Sequence, residues 1–372
     1  MNVPFVDLRA HVAALRGEIE RAVGRVLDAG WFILGPEGEA FERELAAALG
    51  ARDCVGVANG TEAIQLALEA LGVGPGDEVV TSPLSAAFTA LGVLRAGARP
   101  VFADLDPATL NVAPEAVEKA LTPRTKALLP VHLYGHPADL DPLLDIARRR
   151  GIPLVEDACQ AHGARYKGRP VGALSGIGAL SFYPTKNLGA LGDGGAVLVN
   201  DAAIAARLRR LRNGGQSDRY RHEEPGINSR LDEVQSAILR AFLRHLPAWT
   251  ERRRALAALY LRELAGAAVE LPREQPWAAA VYHLFVVRHP RRDALGAALR
   301  ERGIGTLVHY PIPLHLQPAF HALGGRPGDF PVAERAAGEV LSLPLYPELT
   351  DEQARAVAAA VRELAATMSA RA

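Results

Sequence analysis

The sequence has no surplus of charge of either sign and few cysteines. Lys and Arg together number 42 and so do Asp and Glu, which gives a formal net charge of zero. A protein that binds nucleic acid by neutralising phosphates carries a basic excess, so the balance argues against that class. The two cysteines, Cys54 and Cys159, lie in apolar strand-like runs. They predict buried free thiols in a reducing cytoplasm and exclude a disulfide scaffold.

Long apolar runs are also absent. No stretch approaches the roughly 18–20 apolar residues that a membrane span needs. Residues 1–23 carry acids and bases every few positions, unlike a signal peptide. We therefore expect no membrane segment and a cytoplasmic protein. Apolar residues make up 49% of the chain and charged residues 23%, a balance that excludes disorder and predicts a sizeable core.

Lysine is scarce among the basic residues. Only four of the 42 are lysine, namely Lys119, Lys126, Lys167 and Lys186. Surface lysines can be replaced by arginine because both keep a charge in water. A lysine that must lose its proton and attack a carbonyl carbon cannot be replaced, since a guanidinium stays protonated above pH ~12. Each remaining lysine is therefore a candidate for a chemical role.

Short apolar strands alternate with helices over the first part of the chain. Strands are predicted at 78–82, 100–104, 126–132, 152–157 and 194–200, with helices between them at about 86–96 and 139–150. This alternation predicts an α/β fold with a mostly parallel central sheet covered by helices on both faces. A long helix at about 232–265 then leads into a mixed region. We predict a large α/β domain at 1–240 and a small α+β domain at 241–372.

Two motifs follow predicted strands. In ANGTEA, residues 58–63, a strand ends in a small turn and a helix begins, which gives free amides and the Thr61 hydroxyl to a phosphate. The alternative is an ordinary turn with Thr61 as the helix N-cap. In VEDACQAHGA, residues 155–164, Glu156 and Asp157 end a buried strand at the edge where open α/β sheets bind ligands. A carboxylate at this edge can keep a cationic ring nitrogen protonated. The alternative is that it caps a helix.

Lys186 lies between an apolar strand and a Gly-rich loop in SFYPTKNLGALGDGGAVLV, residues 181–199. A desolvated lysine has a lowered pKa and can form a Schiff base. The other three lysines look ordinary: one on an amphipathic helix, one at the start of a strand and one in a polar turn. Pyridoxal phosphate requires three groups: a phosphate-binding site, a carboxylate for its pyridinium nitrogen and a lysine for its aldehyde. The sequence offers all three.

The sequence lacks the motifs of metal-binding sites, nucleotide-binding loops and serine hydrolases. The histidines show neither HExxH nor paired cysteine spacing, so we expect no metal site. GALGDGG lacks the P-loop lysine and the strand–GxGxxG–helix setting, and no GxSxG elbow is present.

The chain resembles the DegT/StrS family of sugar aminotransferases, which are fold type I pyridoxal-phosphate enzymes. The resemblance extends over nearly the whole chain and includes VPFVDL, VANGTEAIQLAL, VEDACQAHGA, SFYPTKNLGALGDGGA, GINSRLDEVQSAIL and VHYPIPLHLQPAF. It implies a large domain with a mostly parallel central sheet, a smaller C-terminal domain and a homodimer with shared active sites.

The resemblance also implies a role for individual residues. Lys186 would bond to the cofactor and move the proton, Asp157 would pair with the pyridine nitrogen and Gln160 would lie near the phenolic oxygen. The expected phosphate ligands are Gly60, Thr61, Glu62 through its backbone, Ser181 and, from the neighbouring subunit, Asn228. The expected substrate residues are Tyr183, His309, Tyr310 and, from the partner's loop, Arg219 and Tyr220.

One position departs from the family pattern. Many members carry an aromatic residue that stacks on the cofactor where this chain has Ala86. Phe88, two residues later, is the remaining candidate for stacking, or the ring packs against something smaller.

The lysine loop bears on the substrate. KNLGALGDGG resembles members that aminate the 3-keto group of dTDP-linked 6-deoxyhexoses, with L-glutamate as the donor by analogy. Members that act at the 4-keto position more often have Glu–Gly–Gly and a histidine where this chain has Asp193 and Tyr183. The alternatives are a 4-keto enzyme and a non-catalytic regulatory relative that binds cofactor or sugar. A dehydratase is disfavoured, since such relatives replace the lysine with histidine.

Overall fold

The structure, a computed structural model, describes residues 2–369. The strands of its central sheet are β1 Asp53–Val57, β2 Glu78–Thr81, β3 Arg99–Phe102, β4 Thr125–Leu129, β5 Glu156–Asp157, β6 Ile177–Ser181 and β7 Gly195–Val199. Their order is β3-β2-β4-β5-β6-β7-β1, in which parallel bridges at Leu128–Leu154 and Val131–Asp157 join β4 to the β5 region. Of these seven, only β7 runs in the opposite direction to the other six. The predicted mostly parallel sheet is confirmed.

Both faces of the sheet are apolar. Successive side chains of a strand point to opposite faces, and both sets are buried in apolar clusters. On β7, Ala196 and Leu198 join one buried cluster, whereas Val197 and Val199 join another. Strands buried on both faces are typical of sheets that helices cover on both sides.

The helices are α1 Leu8–Ala29, α2 Pro36–Leu49, α3 Gly60–Ala70, α4 Ala87–Arg95, α5 Pro114–Ala120, α6 Leu140–Arg150, α7 Ala202–Leu211, α8 Glu233–Leu243, α9 Leu246–Glu263, α10 Arg292–Glu301, α11 Pro331–Glu339 and α12 Asp351–Ser369.

The expected single helix at about 232–265 is wrong, because the structure has α8 and α9 there. Pro247 lies in the first turn of α9. Proline has no amide to donate to the carbonyl of Leu243, and its ring would clash with that carbonyl in a continuous helix. The chain therefore breaks at Arg244–His245 and starts a new helix.

The C-terminal part has its own apolar cluster, built from α9, α10, α12 and an antiparallel pair, β8 Phe285–Arg288 and β9 Val340–Leu343. Val3 belongs to this cluster, and its amide donates to the Gly303 carbonyl at 2.8 Å. The N-terminal residues thus pack on the C-terminal unit. The domain division at residue 240 stays a prediction, and residues 370–372 of the predicted small domain lie outside the described residues.

Several short elements complete the chain. They are strands Arg165–Tyr166, Arg169–Pro170, Gln216–Asp218, Arg221–His222 and Ala278–Ala279, and 3₁₀ turns Leu133–Gly135, Leu314–Leu316 and Pro318–Leu323. Among the helices of residues 2–369, none has the length and apolar character needed to cross a membrane.

Glu233 holds the start of α2 in place. Its carboxylate accepts hydrogen bonds from the amides of Gly35, Glu37 and Gly38 at 2.8–2.9 Å, and it is 1% exposed. Glu233→Ala leaves these donors without an acceptor, and each buried unpaired group costs about 1–3 kcal/mol. We expect a clearly lower thermal unfolding midpoint for Glu233→Ala. Glu39→Ala, which truncates an exposed side chain of the same helix, is the control and should change the midpoint little.

Candidate active site

Helix α3 begins at the carboxyl end of β1. Asn59 Oδ1 accepts a hydrogen bond from the Glu62 amide at 2.9 Å, so Asn59 is the N-cap and Gly60 the first helical residue. The alternative in which Thr61 caps the helix is wrong, because Thr61 already lies within it. The amides of Gly60 and Thr61 have no acceptor within the helix and are available to an anion, whereas the Glu62 amide is occupied by Asn59.

Gly60 lies directly against the end of β6. A Cβ on Gly60 would come within 2.7 Å of the Ser181 Cβ and 3.1 Å of the Cys159 Sγ. Only a residue without a side chain lets the start of α3 approach β6 so closely. The free amides of α3 and the Ser181 hydroxyl therefore lie together, and they form a cradle with the donors that a phosphate needs.

Asp157 lies at the end of β5 and is 3% exposed. Its Oδ2 accepts a hydrogen bond from the Thr89 hydroxyl at 2.7 Å, and its Oδ1 accepts one from the Cys159 amide at 3.2 Å. The Thr89 oxygen lies 2.8 Å from the Ser85 hydroxyl oxygen. A carboxylate has about four acceptor positions, so Asp157 can pair with a ring N–H in addition to these partners.

Main-chain hydrogen bonds fix the turn that carries Lys186. The Phe182 amide donates to the Gly194 carbonyl at 2.8 Å, and the Lys186 amide donates to the Tyr183 carbonyl at 2.8 Å. The first bond closes the β6–β7 connection at its base. Lys186 is thereby held in a defined turn that starts beside Ser181.

The Lys186 side chain is half-buried, and burial lowers the pKa of its ammonium, opposed by the nearby Cys159 and Asp157. In the described chain Lys186 forms no ion pair, whereas Lys167 pairs with Asp141. Lysines 119 and 126 are exposed. Lys186 thus differs from Lys119, Lys126 and Lys167 in its burial.

Asn187 ties the lysine turn to the segment before β8. Its Nδ2 donates to the Val281 carbonyl at 3.2 Å, and its Oδ1 lies 3.2 Å from His283 Nδ1. Burial and the nearby Lys186 place the pKa of His283 well below its usual range. The ring is therefore neutral, and Nδ1 carries the proton that Asn187 accepts.

Gln160 connects the sheet to the VHYPIPLHLQPAF segment, residues 308–320. Its Oε1 accepts from the Tyr134 amide at 2.8 Å, and its Nε2 donates to the Tyr310 hydroxyl at 3.0 Å. The Tyr134 hydroxyl donates to the His309 carbonyl. Burial raises the pKa of Tyr310, so its hydroxyl stays protonated. Gln160, His309 and Tyr310 therefore join the group formed by Asp157 and Lys186.

Three histidines near Lys186 are neutral at neutral pH. Burial, reinforced by Lys186, lowers the pKa of His309 to about 4 and that of His162 to about 3. His309 Nδ1 lies 2.8 Å from the Ser342 hydroxyl. Together with His283, these rings add no positive charge near the Lys186 amine.

Glu156, the neighbour of Asp157, faces the interior. It accepts hydrogen bonds from the amides of Gly172 and Ser175 at 2.7 and 2.8 Å, and it lies 3.1 Å from His132 Nε2. Because the Ala138 amide donates to His132 Nδ1 at 2.9 Å, the His132 proton is on Nε2 and points to Glu156. Burial raises the pKa of Glu156, but these hydrogen bonds outweigh it and the pKa is lowered. Glu156 fixes β5 and caps no helix.

The remaining predicted residues lie at the surface. Phe88 and Tyr183 are 61% and 54% exposed, and Ala86 is at the N-cap of α4, so the stacking residue stays a prediction. Arg219 and Tyr220 form the exposed tip of the hairpin at 216–222. Asn228 is exposed and lines a groove of about 380 Å³ with residues that include Ile33, Ala58, Gly192, Asp193 and Arg230. Within residues 2–369, no hydrogen bond joins the side chains of Lys186, Asp157 and Gln160 to five of these residues: Phe88, Tyr183, Arg219, Tyr220 and Asn228.

The gathered residues fit pyridoxal phosphate. The Gly60–Ser181 cradle offers amide and hydroxyl donors to a phosphate. Asp157 offers a carboxylate to a ring nitrogen, and Lys186 offers an amine with a lowered pKa. Within the described residues, no group of three or more His, Cys, Asp or Glu side chains could hold a metal ion.

Sequence reasoning missed Ser85, Thr89, Asn187 and the His132–Glu156 pair. Hydroxyls four residues apart at the start of a helix that follows a strand are a weak signal for Ser85 and Thr89. Asn187 adjoins the lysine, but its partner His283 is distant in sequence. That pairing becomes visible only in the folded chain.

Comparison with known proteins supports the same assignment. The model of the DegT/DnrJ/EryC1/StrS aminotransferase family matches residues 13–362. The erythromycin biosynthesis sensory transduction protein EryC1 of Saccharopolyspora erythraea is 52% identical over 363 residues, which are 97% of this chain and 99% of that protein. The dTDP-3-amino-3,4,6-trideoxy-alpha-D-glucose transaminase of Streptomyces venezuelae is 52% identical over 365 residues, 98% of this chain and 96% of that protein.

A solved structure is also closely similar. The crystal structure of S. venezuelae DesV in complex with a ketimine intermediate superposes with a TM-score of 0.96 at 52% identity and covers 98% of each chain. The predicted α/β fold class and the family resemblance are confirmed. The chain belongs to the DegT/DnrJ/EryC1/StrS aminotransferase family.

Proposed function

We propose that this chain is a pyridoxal-phosphate-dependent aminotransferase that places an amino group from L-glutamate on the 3-keto carbon of a dTDP-linked 6-deoxyhexose. The observation that carries the proposal is the half-buried Lys186 amine, with its lowered pKa, beside the buried Asp157 carboxylate and the Gly60–Ser181 cradle. When bound, the cofactor supplies an aldehyde for the amine and a ring that withdraws electrons from the reacting carbon.

Each cofactor residue has a distinct task. The phosphate would be held by the amides of Gly60 and Thr61 and by the Ser181 hydroxyl. Asp157 would keep the ring nitrogen protonated, because a carboxylate within hydrogen-bonding reach favours the charged form of its partner. Gln160 is fixed by Tyr134 and Tyr310, and the second N–H of its Nε2 would be available to the ring's phenolic oxygen.

Lys186 is both the attachment point and the proton carrier. Its lowered pKa raises the fraction of neutral amine at neutral pH, and a neutral amine is the nucleophile. With the cofactor and substrate bound, the Lys186 Nζ would be a base within the site that could take a proton from one carbon and return it to another. The neutral rings of His162, His283 and His309 keep positive charge away from the amine during both steps.

The substrate assignment rests on two observations. The S. venezuelae relative is named for a 3-amino sugar, and the lysine loop has Tyr183 and Asp193 at the two positions where 4-keto members more often have histidine and glutamate. Tyr183, His309 and Tyr310 are the substrate residues of the same chain. The second candidate is an aminotransferase that acts at the 4-keto position of the sugar. A regulatory relative is the third candidate, since EryC1 is named a sensory transduction protein, but the retained Lys186 favours catalysis.

We further propose that two chains form a homodimer in the cytoplasm and complete each other's sites. Asn228, Arg219 and Tyr220 are exposed and lie outside the cluster around Lys186, as residues that serve a neighbouring chain must be. Trp31 and Phe32 are 58% and 50% exposed, which supports an apolar contact surface. Both cysteines are free, which suits a reducing compartment.

Replacing Lys186 tests the nucleophile. Lys186→Ala should lose at least 10²–10⁴-fold in turnover, since general acid–base help alone contributes that much. It should also lose the visible absorbance of the covalently bound cofactor. Lys126→Ala, which truncates an exposed lysine, is the control and should behave like the wild type. A Lys186→Ala protein with more than a few per cent of the wild-type rate would refute the assignment.

Mixing two impaired variants tests whether the active site is shared between subunits. Asn228→Ala should raise the dissociation constant for the cofactor, and at limiting cofactor its mixture with Lys186→Ala should recover activity. After subunit exchange, one site of each heterodimer contains an intact Lys186 and an intact Asn228. In the control mixture of Lys186→Ala with Asp157→Asn, both residues belong to one chain, so every site keeps a defect. Equal activity of the two mixtures, or a monomer in sedimentation, would contradict the proposal.

A panel of amino sugars tests the substrate. The reaction is run in reverse with 2-oxoglutarate as the acceptor and dTDP-, UDP- and GDP-linked 3-amino and 4-amino hexoses as donors. We expect turnover with a dTDP-3-amino-3,6-dideoxyhexose. Faster turnover of a 4-amino sugar would overturn the 3-keto assignment. Cofactor binding without turnover of any sugar would favour the regulatory relative.

A further inference from the structure

A chain of buried hydroxyls leads to the Asp157 carboxylate. Ser85 and Thr89 are each 2% exposed, and Asp157 is 3% exposed. Ser85 precedes α4, and Thr89 lies in its first turn, four residues later. The two oxygens are 2.8 Å apart, and the Thr89 oxygen is 2.7 Å from Asp157 Oδ2. The chain lies inside the protein and has no access to bulk water.

The direction of the hydrogen bonds follows from the number of protons. A carboxylate only accepts, so the single hydroxyl proton of Thr89 must point to Asp157. The Thr89 oxygen can then only accept from Ser85, whose own proton is committed to it. All three groups are therefore fixed in one arrangement: Ser85 donates to Thr89, and Thr89 donates to Asp157.

We propose that Ser85 and Thr89 form a hydroxyl relay that orients the Asp157 carboxylate and stabilises its negative charge, so that Thr89 is a positioning residue for the reaction. This inference rests on the proposed function. Hydrogen bonds to an ionised acceptor are stronger than neutral ones, and a donor that is itself hydrogen-bonded is polarised and strengthened further. The relay therefore holds the charge that a protonated ring nitrogen needs as its partner.

Removing the Thr89 hydroxyl at nearly constant shape tests the relay. Thr89→Val should lower kcat about ten-fold with little change in KM for the sugar, and should raise the dissociation constant of the apoprotein for pyridoxal phosphate by a similar factor. Thr89→Ser keeps the hydroxyl and should restore most of both values. Ser85→Ala leaves the Thr89 bond in place and should have a smaller effect of the same kind.

Thr81 provides the matched control. Its hydroxyl is also buried, at 1% exposure, but it donates to the Leu129 carbonyl at 2.7 Å and does not approach Asp157. Thr81→Val and Thr89→Val should lower the unfolding midpoint of the apoprotein alike. Only Thr89→Val should change kcat and cofactor affinity.

The outcomes are distinguishable. If Thr89→Val matches Thr81→Val within about two-fold in both kcat and cofactor dissociation constant, the hydroxyl is merely structural and the relay is refuted. If Thr89→Val does not fold, Ser85→Ala decides between the same two outcomes. The cofactor dissociation constant needs no sugar, so it tests the relay even if the panel of sugars shows that the proposed substrate is wrong.

Discussion

Burial of the Asp157 carboxylate is the constraint on which the site depends. A carboxylate removed from water costs several kcal/mol unless donors replace the water. Here the donors are the Thr89 hydroxyl and the Cys159 amide, which come from the first turn of α4 and from the turn after β5. Satisfying one charge therefore fixes where α4 lies on the sheet. The same turn brings Cys159 against Gly60 and so sets the distance between the ends of β5 and α3.

The direction of β7 places the lysine. Because β7 is antiparallel to β6, the connection between them starts and ends at the same edge of the sheet, and the Phe182–Gly194 bond closes it. A crossover helix would have carried the chain to the opposite edge. The lysine turn instead stays beside Ser181 and is anchored by Asn187 to the segment before β8. One strand's direction thus brings phosphate cradle and amine together.

The features predicted from sequence are those that depend on local pattern. Alternating apolar strands predicted the sheet, and the scarcity of lysine together with two strand-end motifs predicted Lys186, Asp157 and Gly60. The break at Pro247 had a local signal, but the apolar periodicity on either side of it favoured a single helix. Thr89 had only a weak signal and His283 had none, because hydroxyls and histidines occur on many helices and loops. Their roles depend on which face packs inwards, which tertiary contacts decide.

Burial also determines which of two neighbouring nucleophiles can react with an aldehyde. Burial raises the pKa of the Cys159 thiol well above its usual range, with Asp157 acting in the same direction, and burial lowers the pKa of the Lys186 ammonium. Both groups are thereby shifted towards their uncharged forms, with opposite chemical effect. An uncharged amine carries a free electron pair, whereas an uncharged thiol is a poor nucleophile compared with its thiolate. One low-dielectric environment therefore makes the site chemoselective for nitrogen over sulfur.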